Sequence, residues 1–385
     1  MKQLADPIYG FIRIPSTELK IIDTPEFQRL RRVSQLGLSS KVYPGATHSR
    51  FSHSIGVYHI TSLLVDGLDY DYKKEAKIAG LMHDAGHGPY SHATECAFPS
   101  LSDHETFSCN LVRDFSDSGI LPEDVDADVV CDLIHGDTDI SPISGEIDAD
   151  RIDYLLRDAH YTGVPHGKFD WRTIIQSAKI QEVNGINRIC FDFRSKQAIE
   201  SMLLSRKGMR KSVYKHPTSL VSERMLEKIL KNTEFNKPPE ELFRLDDVEL
   251  FAQIEEHAEG AAKDVYNCLQ RRKLYKTVVT YRDTLPNTVE DLLENADLHE
   301  IEKQVAQKAG VSEEYVICHE DVNNHPKSSL PDVFVELPSN DIRQITEISQ
   351  IGEVIDEEGF SIQFVLFAPE KHVDKVRAAF TEIVN

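Results

Sequence analysis

The chain has 385 residues, a formal charge of −21 at pH 7, 40% hydrophobic residues and 28% charged residues. That length allows one large core plus a smaller appended unit, and the acidic excess excludes a protein that coats nucleic acid through bulk charge. No apolar run approaches the roughly 20 residues of a membrane helix, and Met1-Lys2-Gln3-Leu4-Ala5-Asp6-Pro7 lacks the apolar segment of a signal peptide. Six scattered cysteines with no C-x-x-C pair imply neither a disulfide framework nor a zinc ribbon. A cytoplasmic protein that does not engage membranes is expected.

In chain order, apolar spacing of three and four residues predicts helices over 26–36, 52–64, 72–82, 104–115, 127–133, 150–156 and 196–214. Thr24-Pro25 opens the first of these with an N-cap and a first-turn proline. A short strand pair is expected over 179–193, turned at Val183-Asn184-Gly185. After Lys237-Pro238-Pro239 helices continue over 242–275, strands follow at 315–319, 333–336 and 361–367, and an amphipathic helix over 371–384 closes the chain. The expected fold is mainly α: an all-helical domain over 1–235 and a helical and α+β lobe over 236–385.

The densest chemistry lies in His83-Asp84-Ala85-Gly86-His87-Gly88-Pro89-Tyr90-Ser91-His92. Seven of the sixteen histidines (His48, His53, His59, His83, His87, His92, His104) fall within 57 residues, too dense for isolated core or capping roles. Gly86, Gly88 and Pro89 stop the preceding helix, so the His-Asp pair sits near a helix end. His83 and His87 share a face only if that helix runs far enough. With His53 upstream and Asp150 downstream, the set offers two neutral nitrogens and two anionic oxygens. That suits one divalent transition metal with positions left open for water and substrate, and excludes a closed thiolate site. Fe, Mn, Zn and Ni are not distinguished. An anionic substrate would need a local basic pocket within the acidic body, and two segments qualify: Arg29, Arg31 and Arg32 with Arg50, and Arg206-Lys207-Gly208-Met209-Arg210-Lys211 with Lys215.

The His…His-Asp…Asp set resembles the signature of the HD phosphohydrolase superfamily. Asp6-Pro7-Ile8-Tyr9-Gly10, Gln35-Leu36-Gly37, Tyr43-Pro44-Gly45-Ala46-Thr47-His48-Ser49-Arg50-Phe51-Ser52-His53 and Asp153-Tyr154-Leu155-Leu156-Arg157-Asp158 are similar to the SAM-and-HD-domain deoxynucleoside triphosphate triphosphohydrolases. The match starts at the first residues, so the microbial form without a SAM domain is expected. The resemblance implies metal ligation by His53, His83, Asp84 and Asp150, with Mg accompanying a deoxynucleoside triphosphate substrate. It implies His92 as general acid, His87 and His104 near the α-phosphate, and Glu95 where the family has an aspartate. Arg50 and Arg206 match phosphate-binding arginines, Arg151 stands in place of a lysine, Gln35 and Asp158 match a pair that binds the sugar 3′-hydroxyl, and Tyr154 and Tyr214 match tyrosines against the sugar.

The same resemblance implies a homo-oligomer, dimer or tetramer, and a regulatory nucleotide site in which Asp23, Gln28 and Arg31 match residues that read guanine and Arg272 and Lys276 match phosphate contacts. Ala5 and Asp192 depart from the family there, and an acidic Asp192 would repel a triphosphate. The expected activity releases deoxynucleoside and inorganic triphosphate. Alternatives are hydrolysis of nucleoside monophosphates or other phosphate esters, or a nucleotide-responsive binding protein with a vestigial site.

Overall fold

The computed structural model describes residues 1–101, 103–282, 284–320, 332–350 and 362–384, with 362 and 363 described by backbone alone. Helices dominate, as the periodicity predicts, and a smaller α+β region lies toward the C-terminus.

The chain opens with strands that the sequence reading did not anticipate. β1 (Lys2–Asp6) and β2 (Gly10–Ile14) form an antiparallel hairpin. Asp6 Oδ1 makes the turn by accepting from the Ile8 and Tyr9 amides at 2.8 and 3.0 Å. Ile12 and Ile14 face the core. α1 (Ser16–Ile22) and α2 (Pro25–Arg29) follow, and Thr24 caps α2 by accepting from the Phe27 amide. The helix expected over 26–36 ends early, tightening into a 3₁₀ turn over Leu30–Arg32. The reason is competition for backbone groups: Arg50 donates its amide to Val33 O and Gln35 donates its amide to His48 O, so 33–35 runs extended beside 48–50.

α3 (Arg50–Gly67) is buried on nearly every side. α4 (Lys73–Met82), α5 (His92–Ala97), α6 (His104–Asp117), α7 (Ala127–His135), α8 (Ala149–Thr162) and α9 (Trp171–Ser177) complete this part, with α4 and α8 packed directly on α3. β3 (Ala178–Val183) and β4 (Ile186–Asp192) are the expected strand pair. Their two-residue turn uses Asn184 and Gly185, both at positive φ (54° and 82°), as right-handed strand twist requires. α10 (Lys196–Met209) continues into one π turn over Arg210–Tyr214, so the expected helix over 196–214 holds with a widened end.

α11 (Pro217–Lys231), α12 (Pro239–Phe243), α13 (Asp247–His257) and α14 (Gly260–Gln270) lead to β5 (Lys276–Arg282), α15 (Asn287–Asn295), α16 (Leu298–Ala309) and β6 (Ile317–Glu320). β7 (Phe334–Glu336), β8 (Ile342–Gln344), α17 (Ile345–Ile348), β9 (Ile362–Ala368) and α18 (Val373–Val384) finish the chain; Ser361 of the expected third strand lies outside the described residues. β9 sits between β5 and β6, and α18 closes over this sheet through Phe364 and Phe380. β7 instead returns to pair in parallel with β4, and Val333, Val335 and Ile345 join the same core as α3. Among the described residues no helix is long and apolar enough to cross a membrane.

Candidate metal centre

Helix ends build the site. His53 lies in the first turn of α3, and His83 is the C-cap of α4, which stops at Met82. Asp150 stands in the first turn of α8, where a helix N-terminus favours a carboxylate. Because α4 ends there, His83 and His87 do not share a helix face; His87 lies beyond a tight turn. That turn packs so closely on α6 that a Cβ on Gly86 would lie 2.3 Å from His104 O and 2.4 Å from the Ser108 amide nitrogen. Ser108 Oγ fixes it by accepting from the Gly86 amide and donating to His83 O at 2.8 and 2.7 Å. Arg29 donates to Ala85 O and His87 O from the other side. Tyr90 and Ser91 then adopt positive φ (53° and 48°), a strained pair for non-glycine residues. It is held by Tyr90 N–H to Asp247 Oδ1 and by Arg50 Nε to Ser91 Oγ, each 2.8 Å.

The predicted donors converge. His53 Nε2 lies 2.9 Å from Asp150 Oδ1 and 3.5 Å from Asp84 Oδ2; His83 Nε2 lies 3.6 Å from Asp150 Oδ1 and 3.5 Å from Asp84 Oδ1. Asp84 also reaches the other way, with Oδ1 3.4 Å from His87 Nε2 and Oδ2 hydrogen-bonded to Arg50. It therefore joins the His53–His83–Asp150 cluster to a second one formed with His87 and His104.

Three observations fit a divalent cation. His53 Nδ1 is held at 2.8 Å by Asp153, and His83 Nδ1 by Gly80 O at 3.1 Å, which turns both Nε2 atoms toward the site. His83 Nε2 is buried without a hydrogen-bond partner. The charge balance points the same way. Burial alone would lower the His53 pKa, but hydrogen bonds to Asp150 and Asp153, with Asp84 nearby, push it up to about 10. Positive charge is thus strongly favoured where the four donors meet, as a proton or as a metal.

Asp153 was not singled out by sequence reasoning. It accepts from His53 and is gripped by Arg157 through Nε and Nη2 at 2.8 and 2.9 Å, while Arg157 Nη1 reaches Asp6 at 2.8 Å. Gly56 is required beside it, since a Cβ there would lie 1.9 Å from Asp153 Oδ1. The signal available in the sequence was the i, i+4 spacing of Asp153 and Arg157.

Next to the donors, Glu95 gathers three imidazoles. His104 Nδ1 and His87 Nδ1 lie 3.0 and 3.1 Å from Oε1, and His92 Nδ1 lies 3.1 Å from Oε2. His87 makes no hydrogen bond through Nδ1 despite that distance, being stacked on His104 with centroids 3.7 Å apart. Burial opposes charge on Glu95, but the imidazoles around it, His104 first, outweigh it and hold the carboxyl well below its usual range. Burial, with Arg50 close by, pushes His87 down to about 4. Burial also acts against a proton on His104, but its hydrogen bond to Glu95 and the charge of Asp84 raise it. His92 is 73% exposed.

The candidate sugar residues meet on one carboxylate. Asp158 lies 2.7 Å from His48 Nε2 through one oxygen and accepts from Tyr214 OH at 2.7 Å through the other. Tyr214 meets Tyr154 edge to face. His48, which no sequence signal paired with Asp158, also accepts the Gln35 amide on its backbone oxygen, and Gln35 Oε1 is buried without a partner. Of the first basic cluster, Arg29 is spent on carbonyls, Arg32 pairs with Asp246, and Arg31 bonds Gln28 and lies over Phe51. Arg50 remains beside Asp84. Arg151 lines a cleft of about 150 Å³ with His83, Asp84, His104 and Asp150, and Arg206 on α10 meets it across Glu146.

Of the candidate regulatory residues, Gln28 donates to Ile22 O, next to the exposed Asp23, and accepts from Arg31. Arg272, at positive φ, donates to Lys41 O, and exposed Lys276 opens β5. Asp192 caps a 3₁₀ turn by accepting from the Arg194 amide. Ala5 pairs with Phe11 in the hairpin.

The HD domain family matches residues 50–158, and the HD associated region matches 169–385. The chain belongs to the HD-domain phosphohydrolase family. An uncharacterized protein of Methanocaldococcus jannaschii is 31% identical over 387 residues, covering 98% of this chain and 81% of that protein. The deoxynucleoside triphosphate triphosphohydrolase SAMHD1 of Homo sapiens is 30% identical over 274 residues, covering 59% of this chain and 44% of that protein, so the chain spans less than half of it. A hypothetical protein from Aquifex aeolicus shares the fold, with a TM-score of 0.76 and 27% identity, over 98% of this chain and 99% of that one.

Proposed function

We propose that this phosphohydrolase cleaves deoxynucleoside triphosphates to deoxynucleoside and inorganic triphosphate. The observation that carries the reading is the junction at Asp84, which ties the donor set of His53, His83 and Asp150 to the imidazoles assembled on Glu95. One divalent transition ion held by His53, His83, Asp84 and Asp150 would supply Lewis acidity and charge neutralisation beside a phosphoryl group.

The protein's own groups do the rest. His87, unprotonated near neutral pH, accepts or relays a proton beside the α-phosphate. His92, exposed and tethered through Nδ1 to Glu95, donates the proton that the leaving 5′-oxygen needs. His104, positively biased by Glu95, stabilises charge on the phosphate. Arg50, Arg151 and Arg206 bind phosphate oxygens, Arg151 as a planar fork where a lysine would be a point charge. Gln35 and Asp158 hydrogen-bond the 3′-hydroxyl, and Tyr154 with Tyr214 fills the space beside C2′, so a 2′-hydroxyl clashes. In this reading residues 1–235 form the catalytic domain and 236–385 an appended lobe, the enzyme works as a cytoplasmic homo-oligomer, and Mg accompanies the substrate.

The test is incubation with each of the four deoxynucleotides and the matching ribonucleotides, with defined metals and chromatographic product identification. Metal-dependent release of deoxynucleoside, with ribonucleotides spared, is expected. Turnover confined to monophosphates, or none with any nucleotide, overturns the proposal.

A further inference from the structure

The loop entering α8 carries a carboxylate that the chemistry above does not use. Glu146 Oε2 lies 2.8 Å from Nη1 of Arg206 and 3.4 Å from Nη1 of Arg151. Two guanidiniums from different helices, α10 and α8, thus converge on one oxygen. Unscreened, they would repel each other. Arg151 also lines the cleft that holds His83, Asp84 and Asp150, so this oxygen marks an anion position at the rim of the candidate metal centre.

The residues around Glu146 are anchored, but its side chain is not buried. Asp148 Oδ2 accepts from the Gly145 amide at 2.8 Å, and Gly145 O accepts from Arg151, while the Glu146 side chain is 33% exposed. Asp148 is itself the N-cap of α8 and 3% exposed. Glu146 can therefore leave the two arginines while the loop on either side of it and the helix that presents Asp150 stay in place.

We propose that Glu146 is a displaceable carboxylate occupying the anion position between Arg151 and Arg206, and that a substrate phosphate must exchange with it to bind. This rests on reading the two arginines as phosphate ligands. The consequence is selectivity. An incoming group must offer the two guanidiniums more charge and more acceptor oxygens than a carboxylate does, which a phosphate monoester or polyphosphate provides and a carboxylate or neutral ligand does not. Glu146 thereby determines which anions enter and raises the concentration at which they do.

The test uses inorganic phosphate as the probe, by calorimetry on the metal-loaded protein. The variants are Glu146→Gln, Glu146→Ala and the double variant Glu146→Gln/Arg206→Gln. Either single variant is expected to bind phosphate about three- to tenfold more tightly, the size expected when two partly exposed ion pairs no longer have to be broken. The gain should vanish in the double variant. Parent-like or weaker binding in both single variants, or a gain that survives loss of Arg206, overturns the inference. Hydrolysis assays on the same proteins separate it from the proposed function. Turnover of deoxynucleotides with phosphate binding unmoved in both single variants overturns the exchange alone. Tighter phosphate binding without nucleotide turnover overturns the function and leaves the exchange standing.

Discussion

Replacing Asp153 with Asn conserves the volume of a fully buried side chain while removing its charge. In the parent, one oxygen serves His53 Nδ1 and Arg157 Nε at 2.8 Å each, and the other serves Arg157 Nη2 at 2.9 Å. An amide offers one acceptor oxygen, and its NH₂ group must then face a donor. Two losses follow. Arg157 is wholly buried and, among the described residues, keeps Asp6 alone as a carboxylate partner. Removing one partner of a buried pair costs about 3–5 kcal/mol, and the surviving Asp6 contact places this case near about 3 kcal/mol. His53 meanwhile loses the anion that orients it, which typically weakens metal binding by about 10–100-fold, or about 1.4–2.7 kcal/mol. Urea unfolding of the metal-free protein measures the first effect, and chelator competition on the folded variant measures the second. A stability loss within about 0.5 kcal/mol, or parent-like metal affinity, would refute the role given to Asp153.

Truncating His92 to Ala should lower turnover by about 10²–10⁴-fold while the metal content stays unchanged, and undiminished turnover would assign proton donation to another group. The Glu95–His104 pair should give stability a bounded pH window. Glu95, with its pKa depressed, contributes above its ordinary value of 4.5 and loses that contribution as pH falls toward its folded value. His104, with its pKa raised, contributes fully below 6.5 and loses its part as pH rises through its folded value. The destabilisation by Glu95→Gln, about 1–2 kcal/mol as a charge-assisted contact, is therefore expected to peak between those two values in urea titrations, and a difference that does not vary with pH would contradict the pairing. Added guanine nucleotide should change the initial rate on a non-guanine deoxynucleotide little, because Asp192 and Ala5 weaken the candidate regulatory site; a large activation abolished by Asp23→Ala, beside a mass increase in light scattering, would reverse that expectation.

The candidate metal donors were legible because the chain itself joins His83 to Asp84 and because Gly86, Gly88 and Pro89 announce the helix end that presents them. Their supports were not. The i, i+4 spacing of Asp153 and Arg157 is shared by ordinary solvated ion pairs, and the enclosure of Asp153 shows only in its contact with Gly56, 97 positions away. The contact of His48 with Asp158 spans 110 residues with no periodic signal. The same blindness to long-range pairing hid the return of β7 to β4, since three residues of strand carry too little alternation to declare a partner. The β1–β2 hairpin escaped for a different reason: its five-residue strands are turned by an Asx contact rather than by the Asn-Gly signal that made β3–β4 readable.

Hydrolysis of a deoxynucleoside triphosphate in ¹⁸O-labelled water, with mass analysis of both products, tests the proposed chemistry most directly. Attack at the α-phosphorus with proton donation to the 5′-oxygen places the label in inorganic triphosphate and none in the deoxynucleoside, with the two products in equal amounts. Label in orthophosphate or pyrophosphate, or a nucleotide product in place of the deoxynucleoside, would contradict it.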